Sequence, residues 1–311
     1  MHAIRETRNT VAPPSTGRAA AFAALVVANV ALAFGPVFVR LADTGPVAAG
    51  FWRITLAAPV LCILAARGGW RPRGMARGLW LMLTIGGVSF AADLASWHIG
   101  ILRTTLANAT LFGNSATLIF PLYGFLVARA WPTRAQGLAL LLAAVGAALL
   151  MGQSYRLDPR NLTGDLLCVA AGVLYTVYFV CMARARATMP PLPALALSTL
   201  TSIAPLLIFA LALGERVMPH DWTPLIGLAL VSQVIGQGMM IFAIGRLSPL
   251  IVGIALLIQP VVAATTGWLV YHERLTPTDW IGAMLVAAAL VLVRRAPREA
   301  DPLAAGRGET R

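Results

Sequence analysis

A carboxylate, a guanidinium and several amides stand inside apolar segments of this chain, and these are the groups that could do chemistry there. Asp93 is the acid placed well inside an apolar run, and Arg53 is its natural counter-charge. A charge at the centre of a membrane helix costs about 2.5–3.5 kcal/mol on insertion scales. Both residues lie about seven positions from the same end of neighbouring segments, so at about 1.5 Å per residue they share a depth. An Arg53–Asp93 ion pair is therefore expected. It is either structural, each charge serving to neutralise the other, or Asp93 is a proton-coupling or cation-binding carboxylate. Trp97 follows Asp93 by one helical turn and shares its face, as does Ser89 one turn before. Trp97 then either lines a cavity or anchors the helix at the interface. His98 points about 100° away, as a proton carrier or as an interfacial histidine.

Asn114 and Gln259 are placed alike, each near the middle of an apolar segment. A neutral amide offers donors and acceptors without a charge, which suits a zwitterion. It also serves as interhelical glue, worth about 0.6 kcal/mol. Gln233 and Gln237, four apart, add donors at a similar depth, and Asn29 does so from the first segment. Tyr175 and Tyr178 are candidates for aromatic walls, or for plain packing. Pro36, Pro121 and Pro260 interrupt apolar runs, where they are expected to kink helices and free carbonyls beside a cavity.

The elements that must position these groups are long apolar helices. Of the 311 residues, 59% are hydrophobic and 12% charged, against about 25% charged in soluble domains. Mean hydropathy is +0.78. Ten segments are long enough for a hydrocarbon core that takes about 20 residues: 19–39, 46–66, 79–99, 104–128, 133–152, 163–183, 193–213, 223–245, 249–271 and 277–293. The net charge of +12 comes entirely from arginine, clustered at segment ends, so it reads as a topology signal rather than a nucleic-acid footprint. With the N-terminus inside, 17 arginines are cytoplasmic and 6 lie opposite, which puts both termini in the cytoplasm. Cys62, Cys168 and Cys181 lie in apolar segments without paired spacing, so neither a disulfide framework nor a metal site is expected.

An internal repeat organises the ten segments. At an offset of 145 residues Arg129 falls on Arg274, Pro132 on Pro277, Thr133 on Thr278, Gly137 on Gly282 and Asn114 on Gln259. The expected fold is an all-α integral membrane protein of ten transmembrane helices, built as two inverted five-helix repeats. The repeats cover 19–152 and 163–293, flanked by cytoplasmic tails 1–18 and 294–311. Five spans per copy is odd, so the second copy enters from the opposite side, a plan that favours a midplane site between halves that rock.

Further motifs give this plan a family. Phe34-Gly35-Pro36-Val37-Phe38-Val39, Phe51-Trp52-Arg53, Thr104-Thr105-Leu106-Ala107-Asn108-Ala109 and Glu273-Arg274-Leu275-Thr276-Pro277 with Trp280-Ile281-Gly282 resemble the drug/metabolite transporter superfamily, specifically its ten-helix EamA-type branch. The first copy departs from it, with Ala128 and Arg129 where Glu273 and Arg274 stand in the second. The resemblance implies a secondary transporter of the bacterial-type inner membrane that exports small metabolites by alternating access. Amino acids, as in exporters of the YddG kind, are the expected cargo, and a carrier of drugs, cationic compounds or other metabolites is the alternative. Partners are then a small molecule, the lipid bilayer and in one variant protons, with no nucleic acid and no cofactor. The oligomeric state is left open, a monomer being consistent with this plan. An integral-membrane lipid enzyme would want acids and histidines clustered at one depth, a pattern the sequence does not contain. The chain has no lysine, hence no Walker-type phosphate loop, and a gradient is the expected driving force. The topology is testable by maleimide labelling of intact cells: Asp158→Cys is expected to react from outside and Arg73→Cys only after permeabilisation, and the reverse pattern would refute the orientation.

Overall fold

The computed structural model describes residues 15–72, 74–104, 112–129, 131–151, 159–271 and 276–295. Among these, every regular element is helical. Helix α1 runs as Ser15–Ala33 and Gly35–Leu41, α2 is Pro46–Arg67, α3 Arg77–Ile101, α4 Ala116–Ala128 and α5 Arg134–Met151. In the second half α6 is Leu162–Ala185, α7 Pro191–Ala212, α8 Thr223–Ile244, α9 Pro249–Ala255 continued by Ile258–Tyr271, and α10 Pro277–Arg295. Helices α1–α3 and α6–α8 are long and apolar enough to cross a membrane, whereas α4, α5, α9 and α10 carry shorter apolar stretches. Residues 105–111 of the fourth expected span, the motif residues 272–275 and most of both tails lie outside the described residues.

Proline punctuates the bundle in two ways. At Pro46, Pro191, Pro224 and Pro249 it opens a helix, where its missing N–H costs nothing. At Pro36 and Pro260 it accompanies a break. Pro36 cannot donate to the carbonyl of Leu32, and α1 is interrupted at Phe34. Pro260 likewise cannot donate to Leu256, whose carbonyl accepts the N–H of Gln259 instead, at 3.1 Å. Pro121 lies inside α4, which continues through it.

The packing exchanges the two halves. Helix α2 packs on α7, α4 on α9 and α5 on α10, each pairing equivalent helices. The contact of α3 with α6 is matched by α8 with α1, that of α3 with α7 by α8 with α2, and that of α4 with α6 by α9 with α1. The main interhelical contacts therefore run between repeats, in the pattern a pseudo-two-fold axis produces. Close approach depends on small residues at the crossings, since lipid supplies no hydrophobic drive between helices. A Cβ on Gly253 of α9 would lie 2.5 Å from the Pro121 ring of α4 and 2.8 Å from the Thr117 carbonyl.

One end of the bundle is clamped by the α7–α8 turn. The Glu215 carboxylate accepts the N–H groups of Val47 and Ala48 at 3.3 and 2.7 Å, capping α2 from another part of the chain. Trp52 Nε1 donates to the Val217 carbonyl at 2.7 Å, and its ring meets Trp222 edge-on at 4.8 Å. Asp43 accepts the His220 N–H at 2.8 Å, with Arg216 at 3.8 Å. The backbone donor of His220, ahead of Arg216, holds Asp43 below the usual carboxylate range. The 42–45 and 213–222 turns thus share one end, as alternating spans require. Gly253→Ala is expected to destabilise the detergent-solubilised protein by about 1–3 kcal/mol through overpacking. Gly17→Ala, where a Cβ meets nothing within 4 Å, is the control, and equal melting temperatures for the two variants would contradict the crossing.

Candidate functional site

Between the halves lies a cavity of about 180 Å³. Its lining comes from α1, α2, α3 and the entry to α4 in the first repeat, and from α6, α8 and α9 in the second. It occupies the middle of the bundle and the half nearer the 42–45 and 213–222 turns.

Of the residues singled out from sequence, Arg53, Asp93, Trp97, His98, Asn114, Tyr175, Gln237 and Gln259 line this cavity. Asn29, Tyr178 and Gln233 are fully buried behind it. Asn29 connects to the wall, since its Oδ1 accepts Gln259 Nε2 at 3.0 Å while its own Nδ2 donates to the Leu25 carbonyl at 2.8 Å. That bridge joins α1 of one repeat to α9 of the other. Both repeat-equivalent amides stand beside helix breaks, at 114–115 and at 256–257.

The expected ion pair is not what the structure contains. Arg53 Nε donates to Gln233 Oε1 at 3.0 Å, and Gln233 Nε2 reaches Thr199 Oγ1 at 3.3 Å. No salt bridge joins Arg53 to Asp93; the two face one cavity and interact through space. A buried guanidinium needs partners more than it needs a formal counter-charge, and the side chain of Gln233 supplies one from within the protein. Of the two readings open for His98, the structure favours the one inside the bundle. His98 is 5% exposed, lines the cavity, and its ring lies 5.1 Å from that of Trp97.

Sequence reasoning missed Phe90 and Gly113. Phe90 carries the Arg53 guanidinium 5.6 Å from its ring centroid and stacks on Tyr178 at 4.7 Å. Its place one turn before Asp93 was the available signal. A Cβ on Gly113 would lie 2.7 Å from Trp97 Nε1, so the absence of a side chain there lets the indole rest against the backbone. From Phe90 an aromatic column continues through Tyr175, Phe179 and Phe120 to Tyr123, with successive centroids 6.1, 4.2, 5.3 and 6.4 Å apart. Tyr123 ends it, accepting Arg184 Nη2 at 3.1 Å. The column fills the bundle between the cavity and the end that carries Arg184. Helix α8 is π-helical over Leu228–Gln237, the stretch that presents Gln233 and Gln237. Such segments are rare and concentrate at functional sites.

Two interlocked helical repeats enclose a largely apolar cavity with a few convergent polar groups, the arrangement of a membrane carrier. The chain belongs to the EamA-like transporter family, whose pattern matches residues 19–152 and again 162–295. It is similar to the threonine/homoserine exporter RhtA of Escherichia coli K12, with 25% identity over 245 residues, covering 78% of this chain and 80% of that protein. An uncharacterized transporter of Archaeoglobus fulgidus is 28% identical over 149 residues, covering 46% of this chain and 50% of the relative, so that match spans half the archaeal protein. A crystal structure shares the fold, with a TM-score of 0.73 and 16% identity over 95% of this chain and 99% of that one. The chain is therefore a multi-pass membrane transporter with a small-molecule substrate, not an enzyme.

The Asn29–Gln259 bridge generates a test. Gln259→Ala leaves a buried acceptor on Asn29, at a cost of about 1–3 kcal/mol. It is expected to lose most substrate counterflow while still purifying as folded protein, and wild-type counterflow in this variant would remove the bridge from the working cavity.

Proposed function

We propose that this chain is a secondary carrier of the bacterial inner membrane that exports small amino acids by alternating access. The observation that carries the reading is the cavity itself, walled by both repeats and backed on one side by the aromatic column. A cavity between repeats that contact each other in exchanged pairs can be opened to either side by rocking one half against the other. With both termini cytoplasmic, the cavity lies in the periplasmic half, and the column from Phe90 to Tyr123 is the closed cytoplasmic gate. The likeness to RhtA supports amino acids as cargo, and the size of the cavity supports small ones.

A second reading draws on one feature of the site. Asp93 stands among Phe90, Trp97 and Tyr175, and a carboxylate within aromatic faces suits an organic cation. Counterflow in proteoliposomes separates the two. Vesicles loaded with threonine, homoserine or a tetraalkylammonium ion are expected to accumulate the labelled amino acids and not the cation. The reverse selectivity would establish the cationic cargo. Repeating the assay with an imposed pH gradient reads the driving force: accumulation that follows the gradient assigns proton coupling, and indifference to it assigns facilitated passage.

A further inference from the structure

Arg53 and Asp93 present opposite charges to one cavity yet form no ion pair. We infer that they are the two poles of a receptor for the zwitterionic backbone of an α-amino acid, Arg53 taking the carboxylate and Asp93 the ammonium group. The inference rests on the amino-acid reading above and names the groups that enforce it.

Arg53 is 9% exposed, and its guanidinium is held at one edge. Nε is committed to Gln233, which is itself fully buried and tied to Thr199, and one face lies toward the Phe90 ring. Nη2 is buried without a hydrogen-bond partner, although the side chain lines the cavity. An arginine fixed in this way offers a pre-oriented fork to a carboxylate, the geometry in which guanidinium outperforms ammonium. On α3, one turn beyond Phe90, the Asp93 carboxylate lies within electrostatic reach of Arg53 without a salt bridge to it. Two such groups at this depth are costly to hold ionised, and the same low dielectric strengthens each as a binding group. A ligand carrying both charges on the two sides of one carbon, as an α-amino acid does, would connect them and leave the site neutral. A ligand with one charge would satisfy one pole and leave the other exposed to the apolar bundle.

The site thereby selects for the zwitterion and not for a particular side chain. Discrimination among amino acids falls to the remaining wall, where Trp97, His98 and the tightly packed Gly113 restrict the volume. This differs from a scheme in which Asp93 serves protons alone, because it requires Arg53 as an equal partner.

The experiment is counterflow in proteoliposomes with labelled L-threonine, competed by L-threoninamide, which lacks the carboxylate, and by 2,3-dihydroxybutyrate, which lacks the ammonium. Wild-type protein is expected to be competed by threonine and by neither analogue. Arg53→Gln and Asp93→Asn are each expected to raise the KM for threonine by about tenfold or more, the effect of losing a charge-assisted hydrogen bond. The double variant is expected to be little worse than either single one, because a zwitterion held at one pole gains little. Arg53→Lys, which keeps the charge without the fork, is expected to retain part of the affinity. Equal competition by both analogues in the wild type would overturn the inference without reference to any variant, so a variant that fails to fold does not protect it. Threonine counterflow with unchanged KM in both single variants would overturn it while leaving the amino-acid reading intact. Absence of counterflow for every amino acid by folded wild-type protein would overturn both.

Discussion

A guanidinium set deep in an apolar bundle is the constraint around which this structure is arranged. Arg53 belongs to α2, its partner Gln233 to α8, and the partner of that glutamine, Thr199, to α7. One charge from the first repeat is thus accommodated by two helices of the second. Removing the charge from water obliges neighbouring helices to present polar groups at matching depth, and those groups must come from the protein because the surrounding lipid has none to offer. The Asn29–Gln259 bridge obeys the same logic on the other side of the cavity, again joining one half to the other. Polar satisfaction and inter-repeat contact are here a single requirement.

Much of the architecture was legible in the sequence. Arg129 and Arg274, Asn114 and Gln259 betray the duplication because like residue types recur at one fixed offset along the sequence. Pro36 and Pro260 mark real interruptions, since a missing N–H acts locally and needs no tertiary context. Pro121 ends no helix. It lies in an unbroken helix, where it packs against Gly253 of α9.

The site was legible in its members and not in its pairings. Eight of the polar and aromatic residues chosen from sequence do line the cavity. The hydrogen-bond partner of Arg53 was missed because Asp93 is near in sequence and matched in depth, whereas Gln233 lies 180 residues away. Helical periodicity places a side chain on a face but does not say which face of which other helix it meets. Tyr178, expected as a wall, is buried packing beneath Phe90, the commoner fate of an aromatic on a helix of this kind. The π-helical turn of α8 left no periodic trace, because the hydrophobic pattern of ten residues is too short to distinguish one helical pitch from another.

The exchanged packing has a consequence for how the molecule is made. Helices α2, α3, α4 and α5 find their main partners in α6, α7, α9 and α10, all of which leave the ribosome later. Until then the nascent first half holds Arg53 without Gln233, and α4 and α5 without the surfaces that cover them. Inserted helices must wait in the bilayer as an unassembled set, and consolidation is a late, long-range event of the kind that folds slowly. A chain cut short after α5 would be a substrate for membrane proteolysis rather than half a transporter.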